Sequence, residues 1–180
     1  WIGGTSSLAE TFFDEFRPFD GAFVLAGPEP PCQPSLASRP FVTLDLASER
    51  SVRSLFERLP LAVEAVIFGP RLSLVWGSDA HLTLISHLAL LLERAAAAGV
   101  RAVLHLSSVA VSDHTLPQAG VRESDPMPPL EAIASGYDRF KRAAEEVITA
   151  ECASRSLRCV HLRLSGIFAN TRRCIQCTTL

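Results

Sequence analysis

Five short runs of apolar residues, each four to six residues long, are separated by segments with helical spacing. They are Ala22–Ala26, Phe41–Leu44, Ala65–Phe68, Ala102–Leu106 and Cys159–Leu164. Each is rich in Val, Leu and Phe and bounded by turn or charged residues, as strands are. The runs are nearly continuous rather than alternating, which is the pattern of parallel strands covered on both faces. Helical spacing falls at Leu8–Phe16, Glu49–Arg58, His81–Ala98 and Tyr137–Ser154. Strand, helix, strand in repeated order predicts an α/β protein with a doubly wound, Rossmann-like parallel sheet.

Punctuation supports that order. Gly99 follows the third helix where a C′ glycine lets the chain turn straight into the next strand. Gly27 ends its strand and five prolines punctuate Pro28–Pro40, which reads as a loop. The 180 residues suffice for one domain with a substantial core, and 48% hydrophobic against 20% charged residues fits a globular chain. A formal net charge of −2 gives no electrostatic reason to expect nucleic acid or an anionic membrane as partner. The longest apolar run, Leu88–Leu92 with its flanks, is shorter than the ~20 residues a bilayer needs.

Five cysteines, an odd count, read as reduced thiols rather than a disulfide framework. Cys174 and Cys177 have the spacing of half a zinc site, but no second Cys or His pair follows, so they read as tail. The histidines, at 81, 87, 105, 114 and 161, do not converge in sequence, and no metal site is expected. Two ends look short for such a fold. Only Trp1 and Ile2 precede the first glycines, where a strand of about five residues is expected, and the pattern dissolves after Ile167. The expectation is a fragment with its first strand incomplete, its substrate region missing and low stability.

Three motifs carry chemistry. Trp1–Phe13 reads as strand end, glycine turn and helix start, which aims backbone N–H groups and the positive end of a helix dipole at a phosphate. Gly3 opens the turn, Ser6 stands at the second glycine position of a G-x-x-G-x-x-G pattern, and Ala9 at the third. Ser107 and Ser108 close the strand in "HLSSVAVS", at the carboxyl end where α/β sheets bind ligands. Tyr137, the only tyrosine, precedes Lys141 by four residues, so a helix stacks the two on one face. Taken alone that pair also describes a solvated helix surface. An ammonium close by, together with the positive ring of an oxidised nicotinamide, favours the phenolate and lowers a tyrosine pKa from its ordinary ~10, which would make Tyr137 a usable base.

The series of glycine turn, Asp45, paired serines and Tyr-x-x-x-Lys, with Tyr137 lying 29 residues beyond Ser108, resembles the extended short-chain dehydrogenase/reductase superfamily. That superfamily includes NAD-dependent epimerases/dehydratases and 3β-hydroxysteroid dehydrogenases. The likeness runs from Trp1 to about Ala169, and its most specific pieces are "GVRAVLHLSSVAV", "SGYDRFKRAAEEVI" and "CVHLRLSGIF". The resemblance implies an NAD(P)-binding domain over residues 1–169 followed by an irregular tail, 170–180. It implies Ser108, Tyr137 and Lys141 as catalytic serine, acid/base and ribose-binding lysine. Gly3, Thr5, Ser6, Ser7 and Leu8 match the pyrophosphate turn, Asp45 and Leu46 the adenine-side pair, Ser107 a residue beside the nicotinamide ribose, and Ile167 one at the carboxamide.

The implied activity is hydride transfer at a secondary alcohol or ketone, on a sterol-like or sugar-nucleotide substrate, with NAD or NADP as cofactor. A possible homodimer in a longer parent and a cytoplasmic location complete the expectations. There are departures. Ala26-Gly27 stand where an acidic residue often ends the second strand, and Leu84 falls where an asparagine is often found. These motivate a second reading, a non-catalytic dinucleotide-binding or regulatory protein, and a third, an inactive truncated product.

Overall fold

A computed structural model describes residues 1–4, 7–15, 22–70, 80–112, 122–123, 125–133 and 135–164. In chain order the elements are α1 (Ser7–Glu15), β1 (Leu25–Gly27), α2 (Pro34–Ala37), β2 (Phe41–Thr43), α3 (Glu49–Arg53), β3 (Ala65–Phe68), α4 (Ala80–Ala97), β4 (Ala102–Ser108), α5 (Gly136–Ser154) and β5 (Arg158–Leu164). All strand pairs are parallel, β1 with β2 and β3–β4–β5 in sequence order. The two ladders meet through Ile2, which bridges Ala26 on one side and Phe68 on the other. The order is therefore β2–β1–Ile2–β3–β4–β5, with Ile2 at the central position of the 3-2-1-4-5-6 arrangement of a doubly wound sheet.

Side chains alternate across this sheet as strand geometry requires. Val24 and Ala26 join the main core, with Val66, Phe68 and Val103 of the sheet, Leu88, Leu91 and Leu92 of α4, and Ala144 and Ile148 of α5. Leu25 points the other way, into a smaller cluster with Ala9 and Phe13 of α1 and Leu36 of α2. Trp1, Phe12, Phe13 and Phe23 meet there, mostly edge to face, with ring centroids 5.0–6.0 Å apart. The Arg39 guanidinium lies 3.7 Å from the centroid of the Phe13 ring.

Helix ends follow their chemistry. The Ser48 and Ser135 side chains accept from the N–H groups of Ser51 and Asp138, capping α3 and α5. Gly99 (φ +87°) ends α4 with Val100 N–H donating to Ala95 O and Gly99 N–H to Ala96 O, the paired bonds of a glycine-terminated helix.

The structure corrects four expectations. Within Pro28–Pro40, read as loop, Pro34–Ala37 form a helical turn, because proline suits the first helical position and Leu36 gains full burial. Helix α3 stops at Arg53 rather than Arg58. Ser54 Oγ bonds back to the Arg50 carbonyl and Arg58 reaches across to the Thr43 carbonyl at 2.9 Å. Strand β1 starts at Leu25, not Ala22, while β4 extends through both serines. Finally, β5 is not covered on both faces: Val160 is 58% and Leu162 45% exposed. Among the described residues no helix is long and apolar enough to cross a membrane.

Candidate active site

The carboxyl ends of Ile2, β3 and β4 converge on glycines. Gly3 has φ +79°, and a Cβ there would stand 2.4 Å from the Gly69 carbonyl oxygen and 2.6 Å from Pro70 Cα. At Gly69 an added Cβ would meet Leu106 Cδ1 at 2.5 Å. Glycine is thus required twice where the central strands end, and α1 opens four residues after Gly3. Thr5 and Ser6 lie outside the described residues, as does the Ser7 side chain. Leu8 is half-buried in the first turn of α1.

Asp45 and Leu46 follow β2. The Asp45 carboxylate is exposed and accepts from Ala47 N–H at 2.9 Å, and its own N–H donates to Ser51 Oγ at 3.0 Å. His87 Nδ1 donates to the Leu46 carbonyl at 2.7 Å, so this histidine braces the loop.

At the end of β4 the two serines face opposite ways. Ser108 Oγ accepts from Ala110 N–H at 3.1 Å and hydrogen-bonds the Tyr137 phenol. Ser107 is buried, and its hydroxyl makes no hydrogen bond of normal geometry, although it lies near enough to Glu145 to help hold that carboxylate ionised. Tyr137 sits in the first turn of α5, 40% exposed, with Lys141 one turn further in and buried. Lys141, the only lysine in the sequence, donates from Nζ to the Leu106 carbonyl at 3.0 Å and lies 5.8 Å from the centroid of the Tyr137 ring. Ser108, Tyr137 and Lys141 therefore come together, and Ser107 joins them from the buried side. Ile167 lies outside the described residues.

Burial dominates the electrostatics of the site. The Tyr137 phenol is pushed above its ordinary pKa of 10.0, chiefly by burial, with the Asp138 charge adding and the Ser108 hydrogen bond opposing. The Lys141 ammonium, with three donors, gives one to the Leu106 carbonyl and lies beneath the Tyr137 ring. Burial also depresses the Lys141 pKa, and the Glu145 charge works against that depression.

Beneath this site lies a polar layer that sequence reasoning missed. His105 of β4 and His161 of β5 are register partners, with Nδ1 atoms 3.0 Å apart. One ring must donate and the other accept. Burial, then the Lys141 and His161 charges, hold the His105 pKa at about 3 against the pull of Glu145, so the imidazole is neutral. His161 Nε2 meets Thr149 Oγ1 at 2.9 Å. The signal was available: each histidine stands three residues before the end of its strand. Leu84, where an asparagine is often found, packs in the main core and offers no polar group.

A glycine turn that leads into the N-terminus of α1, and Ser107, Ser108, Tyr137 and Lys141 gathered at the end of β4, fit a phosphate- and ribose-bearing ligand. No curated protein matches the chain in sequence. Among solved structures it is similar to UDP-glucose 4-epimerase of Thermus thermophilus, complexed with NAD, at 18% identity and TM-score 0.71 over 90% of this chain and 53% of that one. It is similar to a short-chain dehydrogenase/reductase superfamily protein of Agrobacterium tumefaciens with bound NAD, at 21% identity and TM-score 0.68 over 90% and 47%. It is also similar to MoeE5, complexed with UDP-glucuronic acid and NAD, at 25% identity and TM-score 0.65 over 90% and 52%. The chain spans about half the length of these proteins. The family model for the NAD dependent epimerase/dehydratase family matches residues 22–174, from just before β1 to beyond β5 and so including Ser108, Tyr137 and Lys141; the chain belongs to that family.

Proposed function

We propose that this chain is the dinucleotide-binding part, residues 1–169, of an NAD-dependent oxidoreductase or epimerase of the extended short-chain type, with residues 170–180 as tail. The observation that carries the reading is the convergence of Ser108, Tyr137 and Lys141 at the carboxyl end of β4, beside the Gly3 turn. Solved relatives with this fold hold NAD, which favours NAD over NADP, and two carry or act on UDP-sugars by name. That favours a sugar nucleotide over a sterol-like substrate.

In this reading Gly3, Thr5, Ser6, Ser7 and Leu8 hold the pyrophosphate at the N-terminus of α1. Asp45 and Leu46 lie on the adenine side, and Ser107, Tyr137, Lys141 and Ile167 at the nicotinamide end. NAD supplies a ring that accepts or returns hydride when bound. The chain's own residues do the rest. Ser108 hydrogen-bonds the reacting oxygen in line with Tyr137, and Tyr137 takes or gives the proton at that oxygen. Lys141 donates to a ribose hydroxyl, and the positive charge it shares with the oxidised ring brings the raised Tyr137 pKa back down. The reading includes a small-molecule substrate, no nucleic acid, a homodimer in a longer parent and a cytoplasmic location.

Calorimetry with NAD and NADP on the 180-residue chain tests the binding. Hydride transfer by a longer form carrying the same residues tests the chemistry: Tyr137→Phe loses roughly a hundredfold or more in turnover. Wild-type turnover in that variant sinks the assigned mechanism. A second reading, dinucleotide binding without turnover, draws on Ser6 at the second glycine position of the turn and on the apolar Leu84. NAD binding with no hydride transfer from any UDP-sugar would select it.

A further inference from the structure

The acid/base reading uses Tyr137, Lys141 and the two serines, and leaves unexplained a charge buried one helical turn beyond Lys141. Glu145 is 3% exposed, yet ionised. Burial pushes its carboxyl up, but the Arg163 hydrogen bonds, the Ser107 hydroxyl and the Arg163 charge together outweigh that and hold it below the usual range. The pairing is bidentate: Arg163 Nε donates to Oε1 at 3.1 Å and Nη2 to Oε2 at 2.9 Å. The same Nη2 reaches Met127 Sδ at 3.2 Å.

Stability alone does not account for such a pair. A buried ion pair usually stabilises a fold no better than apolar residues of the same size. Its placement is more telling. Tyr137, Lys141 and Glu145 recur every four residues along one stripe of α5, and Arg163 stands on β5, two residues beyond His161 and opposite Ser107. The stripe is faced by His105 and Ser107 from β4 and by His161 and Arg163 from β5. Asp138 lies beside Tyr137 on α5, and Glu123 acts on Arg163 from the preceding loop. Of these groups Glu145 supplies the negative charge felt by Lys141.

We propose that Glu145 and Arg163 are positioning residues for Lys141: their bidentate pair ties the middle of α5 to the edge strand β5 and fixes a negative charge one turn from the buried ammonium, keeping it charged and seated on the Leu106 carbonyl beneath Tyr137. The proposal rests on the reading of Lys141 as the cation of a dinucleotide site and deepens it. Arg163 does not touch Lys141 and acts through Glu145. Without Arg163 the carboxylate would lose its main partner, and burial would push its pKa upward. Lys141 would then face burial with no compensating charge.

Because Lys141 is the only lysine, isotope-labelled lysine gives a single side-chain NMR signal whose pH titration reads this ammonium directly. In Glu145→Gln, which keeps the shape, the Lys141 pKa falls further below its parental value. NAD affinity at neutral pH drops by about tenfold, the worth of one hydrogen bond to a charged group, and the alkaline loss of binding begins at lower pH. The double variant Glu145→Leu with Arg163→Met replaces the pair by apolar volume, keeps the fold, and shows the same Lys141 shift. A folded variant of either kind whose Lys141 titrates as in the parent overturns the proposal. The readouts separate the two layers of the reading. A parent chain that binds no NAD overturns the dinucleotide site, whereas an unmoved Lys141 signal overturns the clamp.

Discussion

Replacing Gly3 with alanine tests the phosphate turn and has an internal control at Gly99. Both glycines have positive φ, +79° and +87°. A Cβ-bearing residue in that region costs ~1–2 kcal/mol in either place. At Gly99 nothing lies within 4 Å of the added Cβ, so the backbone cost is the whole effect. At Gly3 the methyl would sit 2.4 Å from the Gly69 oxygen and 2.6 Å from Pro70 Cα, both backbone atoms that cannot rotate away. Overpacking of that kind adds roughly 1–3 kcal/mol, for a total of about 2–5. With a urea slope near ~2 kcal/mol per molar, the unfolding midpoint falls by about 1–2.5 M, against about 0.5–1 M for Gly99→Ala. The Gly3 change also pushes the turn away from β3, so calorimetry should find NAD binding lost in Gly3→Ala and kept in Gly99→Ala. Equal losses of stability in the two variants, or intact binding in Gly3→Ala, would refute the reasoning.

Other outcomes follow from the same structure. Tyr137 is the sole tyrosine, so the near-ultraviolet tyrosinate band reports it alone. It should ionise above pH 10 in the free chain, later still in Ser108→Ala because the opposing hydrogen bond is gone, and earlier once NAD is bound. A free chain ionising well below pH 10 would contradict the burial argument. His105 is held neutral with a pKa near 3, so between about pH 6.5 and 3 the unfolded chain binds more protons, and stability must fall as the pH falls through that window. Denaturation midpoints measured from pH 7 to 4 should show this decline, and His105→Asn should flatten it; an unchanged slope would show that another group is responsible. Ile148→Ala, in the fully buried seam between α5 and the sheet, should cost about 3 kcal/mol in chemical unfolding. Val160→Ala on the open face of β5 should cost well under 1, and similar values for the two would contradict the packing described.

How far the sequence could be read depended on which forces leave a local trace. Apolar runs exposed the parallel strands because a strand covered on both faces carries mostly apolar side chains. Gly99 marked the end of α4 because a left-handed residue there is nearly obligatory. Tyr137 and Lys141 were found by helical spacing, and their partnership with Ser108 by order along the chain. The α2 turn escaped because its stability comes from Leu36 meeting Ala9, Phe13 and Leu25, contacts that no window of sequence contains. Spacing placed a cation near the Tyr137 ring but could not show how far burial raises the phenol's pKa. The His105–His161 and Glu145–Arg163 pairs depend on the register between neighbouring strands and a helix, which emerges only when the sheet assembles.

The single bridging residue at the centre of the sheet has a consequence for cohesion. Ile2 hydrogen-bonds on the β3 side, its N–H donating to the Ile67 carbonyl and its carbonyl accepting from Gly69 N–H, while on the β1 side the Trp1 carbonyl accepts from Ala26 N–H and Gly3 N–H donates to the Ala26 carbonyl. These bonds join two leaves of the sheet at a seam, one leaf carrying Asp45 and the other Ser108, Tyr137 and Lys141. A ligand long enough to touch both leaves would work as a rivet across the seam, so affinity and resistance to tearing would rise together. In such a chain, recognising the ligand and holding the sheet closed are one event.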